Sequence, residues 1–291
     1  ADELHGRREQ SAGPKGAGVR GRQFQATRHG WVAMSDQSNV VVFLTDQQRW
    51  DTVGAYGSPM DLTPNLDAMA DRGTLLERAF SSNPVCGPQR ATLQCGTRGT
   101  ENGVFRNRGE LPDVEHAIGR VFERAGYRTG YVGKWHLAEE GTDPVPAEKQ
   151  AGYQHWRAAD VLEHTSHPYE GTIHDEDGNA IEWDDEYRVD YLTDRGIEFV
   201  EDAADDGDPF FLFLSHLEPH HQNDMETYVA PEGYAEEYAN PWVPEDLAGR
   251  PGDWYEELPD YYGICARLDE TVGRMRAELE DLDVAISPER I

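Results

Sequence analysis

Four small groups of residues carry side chains that could do chemistry. Asp46 and Gln47 each offer a side-chain oxygen directly after a β-branched run. Such oxygens suit a hard cation, Ca2+ or Mg2+; the competing reading is an ordinary cap of a strand-to-helix loop. Cys86 stands two residues before Pro88 and four before Arg90. Pro88 marks a helix start, helix N-termini favour anions, and Arg90 adds a fixed positive charge. A single cysteine is more often a small buried hydrophobe, the reading given to Cys95 and Cys265. Lys134 is one of three lysines, with Lys15 and Lys149, so 26 − 3 = 23 of the basic residues are arginine. A lysine kept after an apolar run and two residues before His136 could bind an oxyanion while the imidazole exchanges a proton; the alternative is an exposed surface lysine. His220 follows Pro219 behind another apolar run, with His216 and His221 as adjacent candidates and a plain loop histidine as the alternative. His155, His164, His167 and His174 fall in a polar stretch and read as surface residues.

The elements that must position these groups can be read from periodicity. Residues 39–45 and 209–215 are continuous apolar runs, the pattern of strands buried on both faces of a parallel sheet. A shorter strand covers 129–133. Thr63 as N-cap, Pro64 at the first helical position and Gly73 at the end frame a helix to Arg72. Further helices are expected from Pro88, over 114–125, over 189–204 and over 261–282, the last with Ile264, Leu268, Val272, Met275, Leu279 and Leu282 on one face. Residues 141–185 read as loop-rich and 222–258 as irregular. Strands alternating with helices predict an α/β fold with a mostly parallel central sheet flanked by helices. Ligands of such sheets bind at the carboxyl ends of the strands, where Asp46, Lys134/His136 and His216/His220/His221 all fall.

The chain has 291 residues with 26 Lys+Arg against 56 Asp+Glu, a net charge of -30. That sign excludes a non-specific nucleic-acid binder. No run of 18 apolar residues predicts a membrane span. No secretory signal is visible, which predicts a cytoplasmic location. Three cysteines do not make a disulfide framework. The acid-rich, lysine-poor composition predicts a salt-adapted (halophilic) protein. Residues 1–33 hold six Lys/Arg and three Asp/Glu, a net of +3, and lack apolar periodicity. They are expected to be a disordered, dispensable extension before Met34, with 34–291 forming one catalytic domain.

Cys86-Gly87-Pro88-Gln89-Arg90 resembles the C-x-P-x-R signature of sulfatases in the alkaline-phosphatase superfamily. The resemblance continues through Ala91–Gly96 and covers Thr45-Asp46-Gln47-Gln48, Thr63–Asp67, Gly133-Lys134-Trp135-His136 and Pro219-His220, in the family's order, over roughly 39–282. It implies an alkaline-phosphatase-like fold and sulfuric ester hydrolysis by a formylglycine made from Cys86 by a formylglycine-generating enzyme. Asp46, Gln47 and the modified Cys86 would hold a divalent metal, usually calcium, with Mg2+ an alternative. Arg90 would hold the formylglycine hydrate, Lys134 and His136 would contact sulfate and the second hydroxyl, and His220 would face the leaving-group oxygen. The implied substrate is a small-molecule or glycan sulfate ester.

Three departures qualify the resemblance. Gln47 replaces a common second Asp, and Gln89 a commoner Ser or Ala. The strand and Asp-His or Asp-Asn pair that follow the last helix in the family, and a later lysine, have no counterpart before Ile291. The fold is therefore expected to be C-terminally incomplete and the chain inactive or nearly so. A phosphonate or phosphodiester hydrolase of the same superfamily and a non-catalytic fragment are the rival readings.

Overall fold

The computed structural model describes residues 37–112 and 114–282. The extension expected at 1–33 and the chain after Leu282 lie outside the described residues. A seven-stranded sheet forms the centre. Its strands are β1 (Val40–Leu44), β2 (Arg128–Lys134), β3 (His155–Ala159), β4 (Ser166–His167), β5 (Glu170–His174), β6 (Ala180–Trp183) and β7 (Phe210–Ser215). The order runs β1-β7-β2-β3-β5-β4, and β6 pairs with β5. β1, β7, β2 and β3 are parallel, whereas β5 pairs antiparallel with β3, β4 and β6. The α/β architecture is the expected one, but the sheet is mixed.

The helices are α1 (Pro64–Arg72), α2 (Cys86–Cys95), α3 (Gly99–Asn102), α4 (Ile118–Arg124), α5 (Leu162–Thr165), α6 (Arg188–Asp206), α7 (Tyr234–Glu237) and α8 (Trp254–Asp281). Alternation along the parallel strands sorts side chains into two cores. Leu212, Leu214 and Val132 meet Leu192, Phe199 and Val200 of α6 and Met275 and Leu279 of α8. Phe211, Phe213 and Tyr131 meet Ala91 of α2, Phe122 of α4, Trp135 and Trp156 on the opposite face. Phe122 stacks on Phe211 with ring centroids 4.0 Å apart. Burying each such side chain stabilises by roughly 1.5–3 kcal/mol, so α2 and α6 are pressed onto the rim where the strands end.

Several expectations are corrected. Residues 141–185, expected to be loop-rich, also hold the strands β3 to β6 and α5. The β5–β6 turn carries Asp177-Gly178, with Gly178 at φ 83, a hairpin signal readable from sequence. His155 and His174 consequently lie on strands. His174 is buried, and His155 stacks against Phe199 at 5.1 Å, while His164 and His167 are exposed. The helix expected over 114–125 shortens to α4, because Val114 and Ala117 turn inward onto the aromatic core. The last helix starts at Trp254, earlier than read, and carries Pro259 inside it; the extra turns pack Trp254 and Leu258 against Leu62. Thr63 makes no side-chain cap to α1. Its hydroxyl accepts from Gly54 N–H at 2.8 Å, and Asp269 of α8 caps α1 instead, accepting from Asn65 N–H at 2.9 Å and Leu66 N–H at 2.8 Å. Among the described residues no helix is long and apolar enough to cross a membrane.

Candidate active site

Register alone brings the chemistry-bearing loops together. Leu44 and Gly133 both pair with Ser215, and Lys134 pairs with Ala159. The segments leaving β1, β7, β2 and β3 therefore start side by side on one rim. Gly133 makes this possible: it sits at φ 104, and a Cβ there would lie 2.0 Å from the Ser215 carbonyl oxygen. β1 and β7 are further tied beyond their ends, His216 N–H donating to Leu44 O at 2.9 Å and Asp46 N–H to Glu218 O at 3.1 Å. The Glu218–Pro219 bond is cis. The Glu218 carboxylate is held 2.8 Å from Arg188, the first residue of α6, both side chains being buried. This clamp fixes the turn that presents His220.

Cys86 opens α2 above the same rim. Its thiol donates to Asp46 Oδ1 at 3.5 Å. The other Asp46 oxygen binds Lys134 Nζ at 3.0 Å and Arg90 at 3.2 Å. Arg90 also donates to Lys134 O and to Ser215 Oγ, each at 2.6 Å. Lys134 Nζ contacts a second carboxylate, Glu163 on α5, at 3.1 Å. Asp46, Cys86 and His220 each place one ligand atom within 4.8 Å of the others. His220 Nδ1 lies 2.5 Å from the His221 carbonyl oxygen. Because a carbonyl only accepts, Nδ1 carries the proton, and Nε2 is left with a lone pair.

Lys134 has no exposure and Arg90 is buried, so this is a desolvated cluster of two cations and two carboxylates. Burial works against the charge on Asp46, but Lys134 and Arg90 outweigh it and hold the carboxyl well below its ordinary range. Burial pushes the Cys86 thiol up, with Asp46 adding to the effect against the opposing pull of Lys134. A thiol raised above its ordinary range stays protonated and is a poor nucleophile as it stands. Burial and the adjacent Lys134 lower His136 to about 4, so its imidazole is neutral at pH 7. Burial and Lys134 lower His220 as well.

Of the residues singled out from sequence, Asp46, Cys86, Arg90, Lys134 and His220 converge. Lys134 is buried and ion-paired, not a surface lysine. His136 is half-buried at φ 61, its N–H donating to Asp160 O at 2.7 Å. Gln47 stands apart: it is exposed at φ 64, and its carbonyl accepts from Tyr261 OH at 2.9 Å. His216 is a core histidine, fully buried against Phe43. His221 packs against Tyr228. Sequence reasoning did not find Glu163, Ser215 or Tyr131, whose hydroxyl donates to Lys134 O at 2.6 Å. Only the strand-end position of Ser215 gave a signal.

The donor chemistry fits one side of a metal site: a carboxylate, the side chain at position 86 and an imidazole nitrogen. The Asp46 charge is already shared with Lys134 and Arg90, so further hard donors would strengthen cation binding.

The Sulfatase family model matches residues 38–286. The chain is 31% identical over 252 residues to the ulvan-active sulfatase of Formosa agariphila, covering 84% of this chain and 47% of that protein. It is 27% identical over 264 residues to the N-acetylgalactosamine-6-sulfatase of Rattus norvegicus, covering 81% and 47%. The crystal structure of the sulfatase YidJ from Bacteroides fragilis superimposes with a TM-score of 0.73 at 25% identity, covering 90% of this chain and 61% of that one. The chain thus spans about half the length of the curated relatives it matches. With a family match over most of its length and the C-x-P-x-R cysteine seated at the strand-end rim, the chain belongs to the sulfatase family of the alkaline-phosphatase-like superfamily.

Proposed function

We infer that this chain acts in the hydrolysis of sulfate esters, with a formylglycine formed from Cys86 by a formylglycine-generating enzyme and with calcium as the divalent metal. The observation that carries this reading is the seat of Cys86: at the start of α2, bonded to Asp46, above buried Arg90 and Lys134. A desolvated thiol that burial holds in its neutral form suits a cysteine that is modified before it reacts. Family membership supports the modification and a divalent metal. Relatives named for sulfated glycans, ulvan and N-acetylgalactosamine 6-sulfate, support a glycan sulfate ester as substrate.

A formylglycine at position 86 would supply a hydrated aldehyde hydroxyl as nucleophile, and a divalent metal held beside it would neutralise charge on the oxygens there. Asp46, Cys86 and His220 would hold the ion, with Gln47 in reach of the role only if its exposed side chain turns inward. The chain's own groups do the rest. Arg90, locked by Lys134 O and Ser215 Oγ, keeps a fixed positive charge beneath position 86. Lys134, pinned between Asp46 and Glu163, would offer a fixed ammonium to sulfuryl oxygens as they gain charge; such preorganised charge needs no rearrangement during reaction. Neutral His136 can take a proton at its ring nitrogen, and His220, whose Nδ1–H is spent on the His221 carbonyl, would give its Nε2 lone pair to the ion.

The test is expression with a formylglycine-generating enzyme, mass spectrometry of the Cys86 peptide, and turnover of an aryl sulfate against an aryl phosphate diester with calcium present. Formylglycine at Cys86, absent at Cys95 and Cys265, with sulfate turnover abolished by Cys86→Ala is the expected result. Preference for the phosphate diester would move the chain to the phosphodiesterase reading. Unmodified Cys86 in a host that modifies another sulfatase would remove the nucleophile from the scheme.

A further inference from the structure

Beside the Cys86 cluster lies a cleft of about 330 Å3 walled by Arg108, His136, Asp160 and His164, with Glu139 also lining it. Its size is at the lower end of ligand pockets, roughly 300–1,000 Å3, and it shares His136 with the site described above. Arg108 is placed through its neighbour: the Asn107 side-chain oxygen accepts the Gly87 N–H at 2.9 Å, in the first turn of α2 next to Cys86. Arg108 itself adopts φ 71, a left-handed conformation that non-glycine residues seldom take.

Charge pairing around the cleft is selective. Asp160 spends its carboxylate on the backbone N–H groups of Ala138, Glu140 and Gly141, at 3.0, 2.8 and 3.3 Å. Glu110 and Glu140 both bind Lys149 Nζ at 2.7 Å. Arg108 makes no hydrogen bond or ion pair with a described residue, although the chain holds 56 acidic residues. Glu139 is exposed and is the cleft carboxylate not tied to a backbone donor. Arg108 is exposed at the cleft, so its guanidinium, without a partner among the described residues and beside His136 and His164, is open to an anion from solvent.

We propose that Arg108 reads a second anionic group, a carboxylate or a further sulfate, on the sugar chain that carries the scissile sulfate ester; this rests on the sulfate-ester reading above. A guanidinium presents paired N–H donors in a fork that matches either oxyanion bidentately. A polyanionic sugar is repelled by a protein of net charge -30, so local attraction at the mouth of the cleft decides which polyanion docks. Arg108 touches the substrate away from sulfur and sets specificity without taking part in bond cleavage.

The experiment measures binding by calorimetry to the full chain and to Arg108→Gln at fixed salt. Two probe pairs are used: a sulfated uronate disaccharide with its carboxyl-reduced form, and a disulfated glucosamine with its monosulfated form. The unsubstituted protein should bind the more anionic member of at least one pair 10-fold or more tightly, and the responsive pair identifies the group as carboxylate or sulfate. Arg108→Gln should bring that ratio to within twofold of one and leave aryl-sulfate turnover unchanged. A ratio that persists in Arg108→Gln, a ratio near one in the unsubstituted protein, or no binding of any probe overturns the proposal. Absent aryl-sulfate turnover with the Arg108-dependent ratio intact counts against the esterase reading alone.

Discussion

Lys134 places an ammonium group where no solvent reaches, between Asp46 and Glu163. Removing one partner of a buried pair strands the other charge, which costs about 3–5 kcal/mol. Lys134→Ala should therefore lower stability by about that much, read as a shift of the urea midpoint; a change below about 1 kcal/mol would mean that water already solvates the two carboxylates. His216 supplies a pH test at the same scale. Burial, reinforced by Arg188, lowers it to about 3 from an ordinary 6.5. A depressed pKa means that the unfolded chain binds the proton more tightly. Stability from this group is complete above about 6.5 and is lost as pH falls toward 3, at up to about 1.4 kcal/mol per pH unit for one proton. His216→Leu should flatten the stability-versus-pH curve in that window, and an unchanged slope would show that His216 takes up its proton without unfolding. Asp46, Cys86, Arg90, Lys134 and His220 were legible because each lies in a short motif at a strand or helix end. Glu163 was not, because it meets Lys134 only after β2 and β3 pair and nothing near it in sequence marks a charge partner.

At the scale of elements, parallel strands were readable where the chain is apolar throughout, as in Phe210–Ser215, all of whose residues are buried. They were unreadable where strands are short and mixed: His155–Ala159 carries no β-branched residue, and β4 has two residues. Helix ends that depend on distant segments were equally hidden. Asp269 caps α1 from about two hundred residues away, a relation that no local pattern contains. Asp269→Ala should cost about 1–3 kcal/mol, because two backbone N–H groups and the Asn65 amide lose their acceptor. The check is a denaturant midpoint for this variant beside one for Thr63→Ala, whose hydroxyl serves Gly54 N–H and the Asp67 side chain and caps no backbone N–H of the helix. Gly133 is the stricter case. Its φ of 104 and the 2.0 Å approach to Ser215 O leave no room for a methyl group, and relief would have to separate β2 from β7. Gly133→Ala should fail to fold or lose several kcal/mol; a folded variant with an unchanged melting temperature would mean that the rim tolerates a wider strand spacing.

The whole molecule is governed by a net charge of -30. Part of that charge is organised: Arg267 and Arg274 of α8 bind Asp190, and Arg274 also binds Asp194, both acids on α6, while Arg128 pairs with Asp206 at 2.8 Å. Arg128 and Asp206 are partly to largely exposed, and pairs of that kind contribute on the order of 0–1 kcal/mol each. Most of the 56 acidic residues have no cation to meet among 26 basic ones, so repulsion spread over the surface exceeds what the pairs return. We propose that the protein is adapted to high salt, which makes the sign of the salt response predictable. Raising ionic strength from about 0.1 M to about 1 M shortens the screening length from about 10 Å to about 3 Å. The long-range repulsion fades first, while the pairs already in contact lose little. The urea midpoint should therefore rise steadily from low to molar KCl, and it should rise likewise in NaCl if screening and not cation identity is responsible. A midpoint that falls with either salt would show that contact ion pairs outweigh the surface field, and salt adaptation would have to be abandoned.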